Sequence, residues 1–413
     1  MQPPTGNGAT IMKYLAGQRL RRLYWQVSSV LAALSIGLSS ASPAQAATIY
    51  PAADPDPFYA APADIGNYRA GDVVRSRQIP APGFLGATAW QLLYRSTNSA
   101  GEPIGAVTTL LLPLGGGGNR PLVAYQPFIN SLGLQCAPSH GLFTGEVKEA
   151  PALNLLLARG WAVSVADHLG PDSAYGAAKM SGRIVLDGVR ASKRFAPAGL
   201  TDSPVGLAGY SGGGMATGFA AALAPEYAPE LPIVGVAEGG VPVNIGKLAL
   251  ELSGQPNVLF GLGFAGAVGL EREYPKEMAL DGWLNPAGEQ LRGRIANACT
   301  EEIVASAANK RFSDYFSGTP DDVNTAQIRI LHENSLETFN GVPRVPLYQW
   351  HGSADVVSPQ LAREVAQRYC RAGTPVLFEM LPGADHGTAM LNAPKGIAYL
   401  ADRFDGRPAP SNC

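Results

Sequence analysis

Gly209-Tyr210-Ser211-Gly212-Gly213 places a serine where its hydroxyl can become a nucleophile. The residues before it, Val205-Gly206-Leu207-Ala208, read as a short buried strand. Those after it, from Gly214 to Leu223, read as a helix with a small-residue face. A Gly-x-Ser-x-Gly turn between strand and helix is a nucleophile elbow. The glycines relieve the crowding of a turn that holds serine at strained φ/ψ, and the helix start offers N–H groups to an oxyanion. Gly212, the residue after the serine, is the expected donor of one oxyanion hydrogen bond. The five-residue pattern alone arises by chance; its strand and helix give it meaning.

A serine hydroxyl needs a base, and the base needs an orienting carboxylate. After an elbow of this kind the acid and then the histidine follow, on loops beyond sheet strands. Of five histidines, His140 and His168 precede Ser211, and His332 lies away from any expected strand end. His351 opens the loop His351-Gly352-Ser353-Ala354-Asp355-Val356-Val357-Ser358-Pro359, where Asp355 is the expected acid. His386 follows the last strong strand in Leu381-Pro382-Gly383-Ala384-Asp385-His386-Gly387 and is the expected base. Asp385 competes for it, but a residue seldom aims at its neighbour's imidazole. Ser211, His386 and Asp355 together suit acyl transfer from an ester through an acyl-enzyme. The second oxyanion donor is expected after Tyr125, in Phe128-Ile129-Asn130-Ser131, at Asn130. Four glycines at 115–118 lack the Gly-Lys-Ser/Thr of a phosphate loop, and no Cys-x-x-Cys or His-rich cluster exists. Neither metal nor cofactor is expected.

The elements that position these residues follow from apolar runs. Trp90–Arg95 and Ala106–Leu112 read as a hairpin across Asn98-Ser99-Ala100-Gly101, with further strands at Leu122–Tyr125, Trp161–Ala166, Ile233–Ala237, Val345–Trp350 and Val376–Met380. Helices are expected at Ala150–Arg159, Arg183–Arg194, Pro359–Ala372 and Asn392–Arg403. This alternation predicts an α/β fold with a mainly parallel central sheet covered on both faces. Between Gly240 and Val342 it lapses, and the glycine-rich apolar run Leu259–Val268 marks a mostly helical, lid-like insertion. The expected organisation is a signal peptide at 1–46, core at 47–240, insertion at 241–342 and core again at 343–413. Residues 47–82, rich in proline and alanine, read as an extended lead-in.

The signal peptide rests on Lys13, Arg19, Arg21 and Arg22, an apolar segment from Val27 to Leu38, and Ala44-Gln45-Ala46 as cleavage site. That segment is short for a membrane span. The net charge is −2, and the leader's charges are all basic, so no basic nucleic-acid footprint is present. Cys136, Cys299, Cys370 and Cys413 all follow the leader; an even number in an exported chain suggests two disulfides, with three pairings open.

From about Trp90 to Cys413 the chain resembles the secretory lipase family of the α/β-hydrolase superfamily. The matching stretches include Gln135-Cys136-Ala137-Pro138-Ser139, Asp167-His168, Leu186-Asp187-Gly188-Val189-Arg190-Ala191, the elbow, Tyr227-Ala228-Pro229-Glu230-Leu231 and Gly240-Val241-Pro242-Val243. The resemblance implies an α/β-hydrolase fold with Ser211, Asp355 and His386 as nucleophile, acid and base. It also implies Cys136–Cys299 and Cys370–Cys413 disulfides, a lid-like insertion over an acyl tunnel, and triacylglycerols or related esters as substrates. One departure concerns the oxyanion position, an aspartate in the best-known member and Asn130 here. The reading is a secreted serine lipase that meets lipid or ester substrate and transiently a lipid interface. Its alternatives are a short-chain carboxylesterase and a non-catalytic lipid-binding protein of the cell envelope. Nucleic acid is not an expected partner, and the sequence carries no signal of oligomeric state.

Overall fold

Strands β1 (Val73–Ile79), β2 (Ala87–Thr97), β3 (Pro103–Pro113), β4 (Leu122–Gln126), β5 (Ala162–Ala166), β6 (Val205–Tyr210), β7 (Ile233–Gly239), β8 (Leu347–Gly352) and β9 (Val376–Leu381) form one sheet. Their order is β1-β2-β3-β5-β4-β6-β7-β8-β9. β1, β2 and β3 are antiparallel, β3 meets β5 antiparallel, and the rest of the sheet is parallel. The structure, a computed structural model, describes residues 47–115 and 117–413. The expected signal peptide therefore lies outside the described residues, as does the second glycine of the 115–118 turn.

The parallel strands are apolar on both faces because both are covered. Leu122, Ala124, Val205, Leu207 and Leu347 face one layer, packed on the helices Ala178–Arg194, Gly212–Tyr227 and Pro359–Arg371. The alternate residues Val123, Tyr125, Ala208, Tyr210 and Trp350 face the helices Ala150–Ala158 and Ala393–Phe404. Period two in the strands thus builds two cores from one sheet. β1 corrects the reading of residues 47–82 as wholly extended lead-in. It is an edge strand with no fully buried residue, so it lacks the apolar alternation that marks the others.

Between β7 and β8 the described residues form helices and no strand of the sheet. Helices Phe260–Glu273, Pro286–Ile295 and Thr300–Ser306 share a core of Phe260, Phe264, Val268, Leu291, Ile295 and Ile303. Gly269 allows close approach there: a Cβ would stand 2.1 Å from the Tyr175 carbonyl oxygen. Arg272 then ties the region to the rest of the chain. Its guanidinium donates to the carbonyls of Ile49 at 3.0 Å, Leu132 at 2.7 Å, Asp172 at 2.9 Å and Ala296 at 2.7 Å.

Glu238, on β7, is buried in the sheet centre. One oxygen accepts from Gln349 Nε2 at 3.3 Å and the other has no hydrogen-bond partner among the described residues. Burial pushes its pKa from 4.5 to about 8. A raised folded pKa gives stability that is complete below the unfolded pKa and is lost as pH rises through the folded one. Glu238→Gln should therefore melt close to wild type at pH 5 and several degrees above it at pH 9, since each pKa unit is worth about 1.4 kcal/mol. Thermal melts at the two pH values check this; an equal gap at both would refute it.

Candidate active site

β6 ends at Tyr210 and the helix Gly212–Tyr227 begins one residue later, leaving Ser211 at φ 54° and ψ −121°. A non-glycine residue there is strained by roughly 1–3 kcal/mol and must be held by its surroundings. Ser211 N–H donates to the Gly239 carbonyl at 2.9 Å. On the helix side a Cβ at Gly213 would fall 1.9 Å from the Gln126 carbonyl oxygen, so no side chain fits. The elbow is pressed directly against the end of β4.

His386 Nε2 stands 2.8 Å from Ser211 Oγ, and its Nδ1 lies 2.9 Å from each oxygen of Asp355. The Asp355 carboxylate is fully buried and accepts the Val357 N–H at 2.8 Å. Asp385 is occupied elsewhere: it caps its own short helix, accepting from Thr388 N at 2.8 Å. Two supports were not evident from sequence. His351, fully buried, donates Nε2–H to the Val357 carbonyl at 2.8 Å and lies 3.4 Å from Asp355 Oδ2; burial pushes its pKa down. Tyr210, at the elbow, donates its hydroxyl to the His386 carbonyl. The other histidines are apart: His140 pairs with Asp54 at 2.7 Å, burial lowers the pKa of His168 to about 4, and His332 lies on the helix Thr325–Glu333.

Gly212 and Asn130 adjoin, because Asn130 Oδ1 would stand 2.4 Å from a Cβ at Gly212. That Oδ1 is sealed with no donor among the described residues. The Asn130 N–H already donates to Thr300 Oγ1 at 3.3 Å, across from the insertion. Ser211, His386, Gly212 and Asn130 open on a cavity of about 380 Å³. Its remaining wall is mainly apolar, with Leu252, Leu259, Leu262, Ala267, Leu270 and Val304 supplied by the insertion. The disulfides are Cys136–Cys299 and Cys370–Cys413, and the first joins the loop after β4 to the residue preceding Thr300.

Residues 145–412 match the family model described as Secretory lipase. The chain belongs to the secretory lipase family. Lipase A of Moesziomyces aphidis is 33% identical over 377 residues, covering 85% of this chain and 80% of that one. A protein named Probable inactive lipase MT1628, from Mycobacterium tuberculosis, is also 33% identical, covering 86% and 82%. Among solved structures, Candida antarctica lipase A in its closed state is 29% identical with a TM-score of 0.81, covering 87% of this chain and 89% of that one. The fold is accordingly that of an α/β-hydrolase, and the expected family is the one found.

As a secretory lipase the chain carries asparagine at its expected oxyanion position, and the geometry separates the two ways Asn130 could serve. Asn130→Asp keeps the backbone N–H and removes the amide donor. Because Thr300 occupies the N–H, kcat on p-nitrophenyl butyrate should fall by roughly 10²-fold at pH 8. An unchanged kcat would mean that the N–H leaves Thr300 for the substrate.

Proposed function

We propose that the protein is an exported serine lipase acting on carboxylic esters of triacylglycerol type. The observation that carries this reading is the unbroken chain from Ser211 Oγ through His386 to buried Asp355, opening on an apolar cavity. In the first half-reaction Oγ attacks the acyl carbon while His386 Nε2 takes its proton, and Asp355 stabilises the imidazolium. Gly212 N–H and Asn130 take the oxyanion charge. Collapse expels the alcohol with the proton from His386 and leaves an acyl-Ser211 ester. Water, deprotonated by His386, then attacks that ester, releasing the carboxylic acid and restoring the serine.

The apolar wall favours long acyl chains over short ones. Gly266, on the Phe260–Glu273 helix, lines the cavity, and a Cβ there would meet nothing within 4 Å. Space left by glycine on an apolar wall is space for acyl carbons. Export is supported by the basic-then-apolar leader and by two disulfides, a pattern of oxidising compartments. The relative named as probably inactive makes the non-catalytic reading the alternative to test.

Rates on p-nitrophenyl esters from acetate to palmitate, for the chain from Ala47 and its Ser211→Ala variant, decide between these readings. Activity should rise with chain length and fall at least ~10³-fold in the variant. Preference for acetate and butyrate would favour the short-chain carboxylesterase; equal rates in both proteins would favour the binding protein. Gly266→Leu should reduce palmitate hydrolysis by about tenfold and leave butyrate within about threefold, as expected for a filled pocket. Equal loss on both esters would place the acyl chain elsewhere.

A further inference from the structure

Where β4 ends, the backbone loses its strand partner. The Gln126 carbonyl already faces Gly213, and residue 127 is proline, so Phe128 N–H is the first donor that needs a new acceptor. It finds a carboxyl: Glu149 Oε1 accepts it at 2.8 Å. Glu149 is the residue before the helix Ala150–Ala158, only 6% exposed, and its second oxygen is sealed with no partner among the described residues. Ile129 N–H turns back to the Pro127 carbonyl at 2.9 Å, and Asn130 N–H goes to Thr300 at 3.3 Å. The segment carrying Asn130 is therefore held from outside by two side chains, Glu149 behind it and Thr300 in front.

We propose that Glu149 is a positioning residue, fixing Phe128 N–H and with it the placement of Asn130 against Gly212. A buried carboxyl with one donor and no ion pair is costly, which marks it as more than a convenient acceptor. Among the described residues no cation pairs with it; the Lys148 ammonium goes to the Gly145 carbonyl at 3.1 Å and to Glu301 at 3.5 Å. Tyr125 of β4, fully buried, is the titratable side chain beside it, and the neighbouring carboxyl helps to push the phenol pKa up. Burial also raises the pKa of Glu149 from 4.5 to about 7. Below that pH it is a neutral acceptor, which glutamine imitates and leucine does not.

The inference rests on the proposed serine mechanism, and Ser211→Ala tests that separately. The experiment compares wild type, Glu149→Gln, Glu149→Asp and Glu149→Leu at pH 6 on p-nitrophenyl butyrate. Rates are normalised to sites titrated to completion with a p-nitrophenyl phosphonate, which counts only folded, reactive enzyme. Glu149→Leu should lose roughly 10- to 100-fold in kcat with KM within about twofold, less than outright loss of an oxyanion donor. Glu149→Gln should stay within about threefold of wild type. If the leucine variant does not fold, Glu149→Asp carries the test, because its carboxyl is withdrawn by one methylene and should cost kcat alone. Wild-type kcat per titrated site in the leucine or aspartate variant, or a glutamine variant as slow as leucine, overturns the assignment. Full activity in Ser211→Ala would instead overturn the mechanism beneath it.

Discussion

The contact on which this site depends is between two pieces of backbone. Gly213 lies so close to the Gln126 carbonyl that a single added carbon would overlap it, at 1.9 Å. That closeness lets the helix start butt against the end of β4, and it brings Gly212 beside Asn130. Ser211 is strained at the same junction, so the strain of the proposed nucleophile and the nearness of the proposed oxyanion donors have one cause. A bulkier residue at 213 would separate strand from helix and undo both.

The loop after β4 is also where the insertion joins the core. Leu132 N–H donates to the Ala298 carbonyl at 3.0 Å, its own carbonyl accepts from Arg272 at 2.7 Å, and Cys136 is bonded to Cys299. These ties converge on a few residues next to Thr300. The segment that walls the cavity and the segment that carries Asn130 are thus tied to each other at several points.

Much of this was legible because local chemistry announces itself. Glycines flank Ser211, a strand end and Gly352 precede Asp355, and Pro382-Gly383 turns the chain before His386. Each cue lies within a few residues of the group it positions. Glu149 and Thr300 left no such cue, since their partners are 21 and 170 residues away and ordinary side chains make the contacts. β1 was missed for a related reason. An edge strand with polar, half-exposed residues has the composition of a loop and is a strand only because β2 is beside it. The pairing of the four cysteines came from family resemblance, as spacing alone left three choices.

The buried carboxyls around the elbow show how the fold allots charge. Asp355, Glu149 and Glu238 are all withdrawn from water, yet their surroundings differ in donors rather than in depth. Asp355 receives the Val357 N–H and the His386 Nδ1–H, with His351 Nε2 at 3.4 Å behind them. Glu149 and Glu238 have one donor each and an orphaned second oxygen, and burial raises the pKa of both. A carboxylate can keep its charge in such a place only where donors replace the lost water. Of the three, Asp355 has the most donors, and it is the one that faces the imidazole of the proposed mechanism. Burial raises the pKa of the other two, so at a given pH each carries less negative charge than a carboxyl in water.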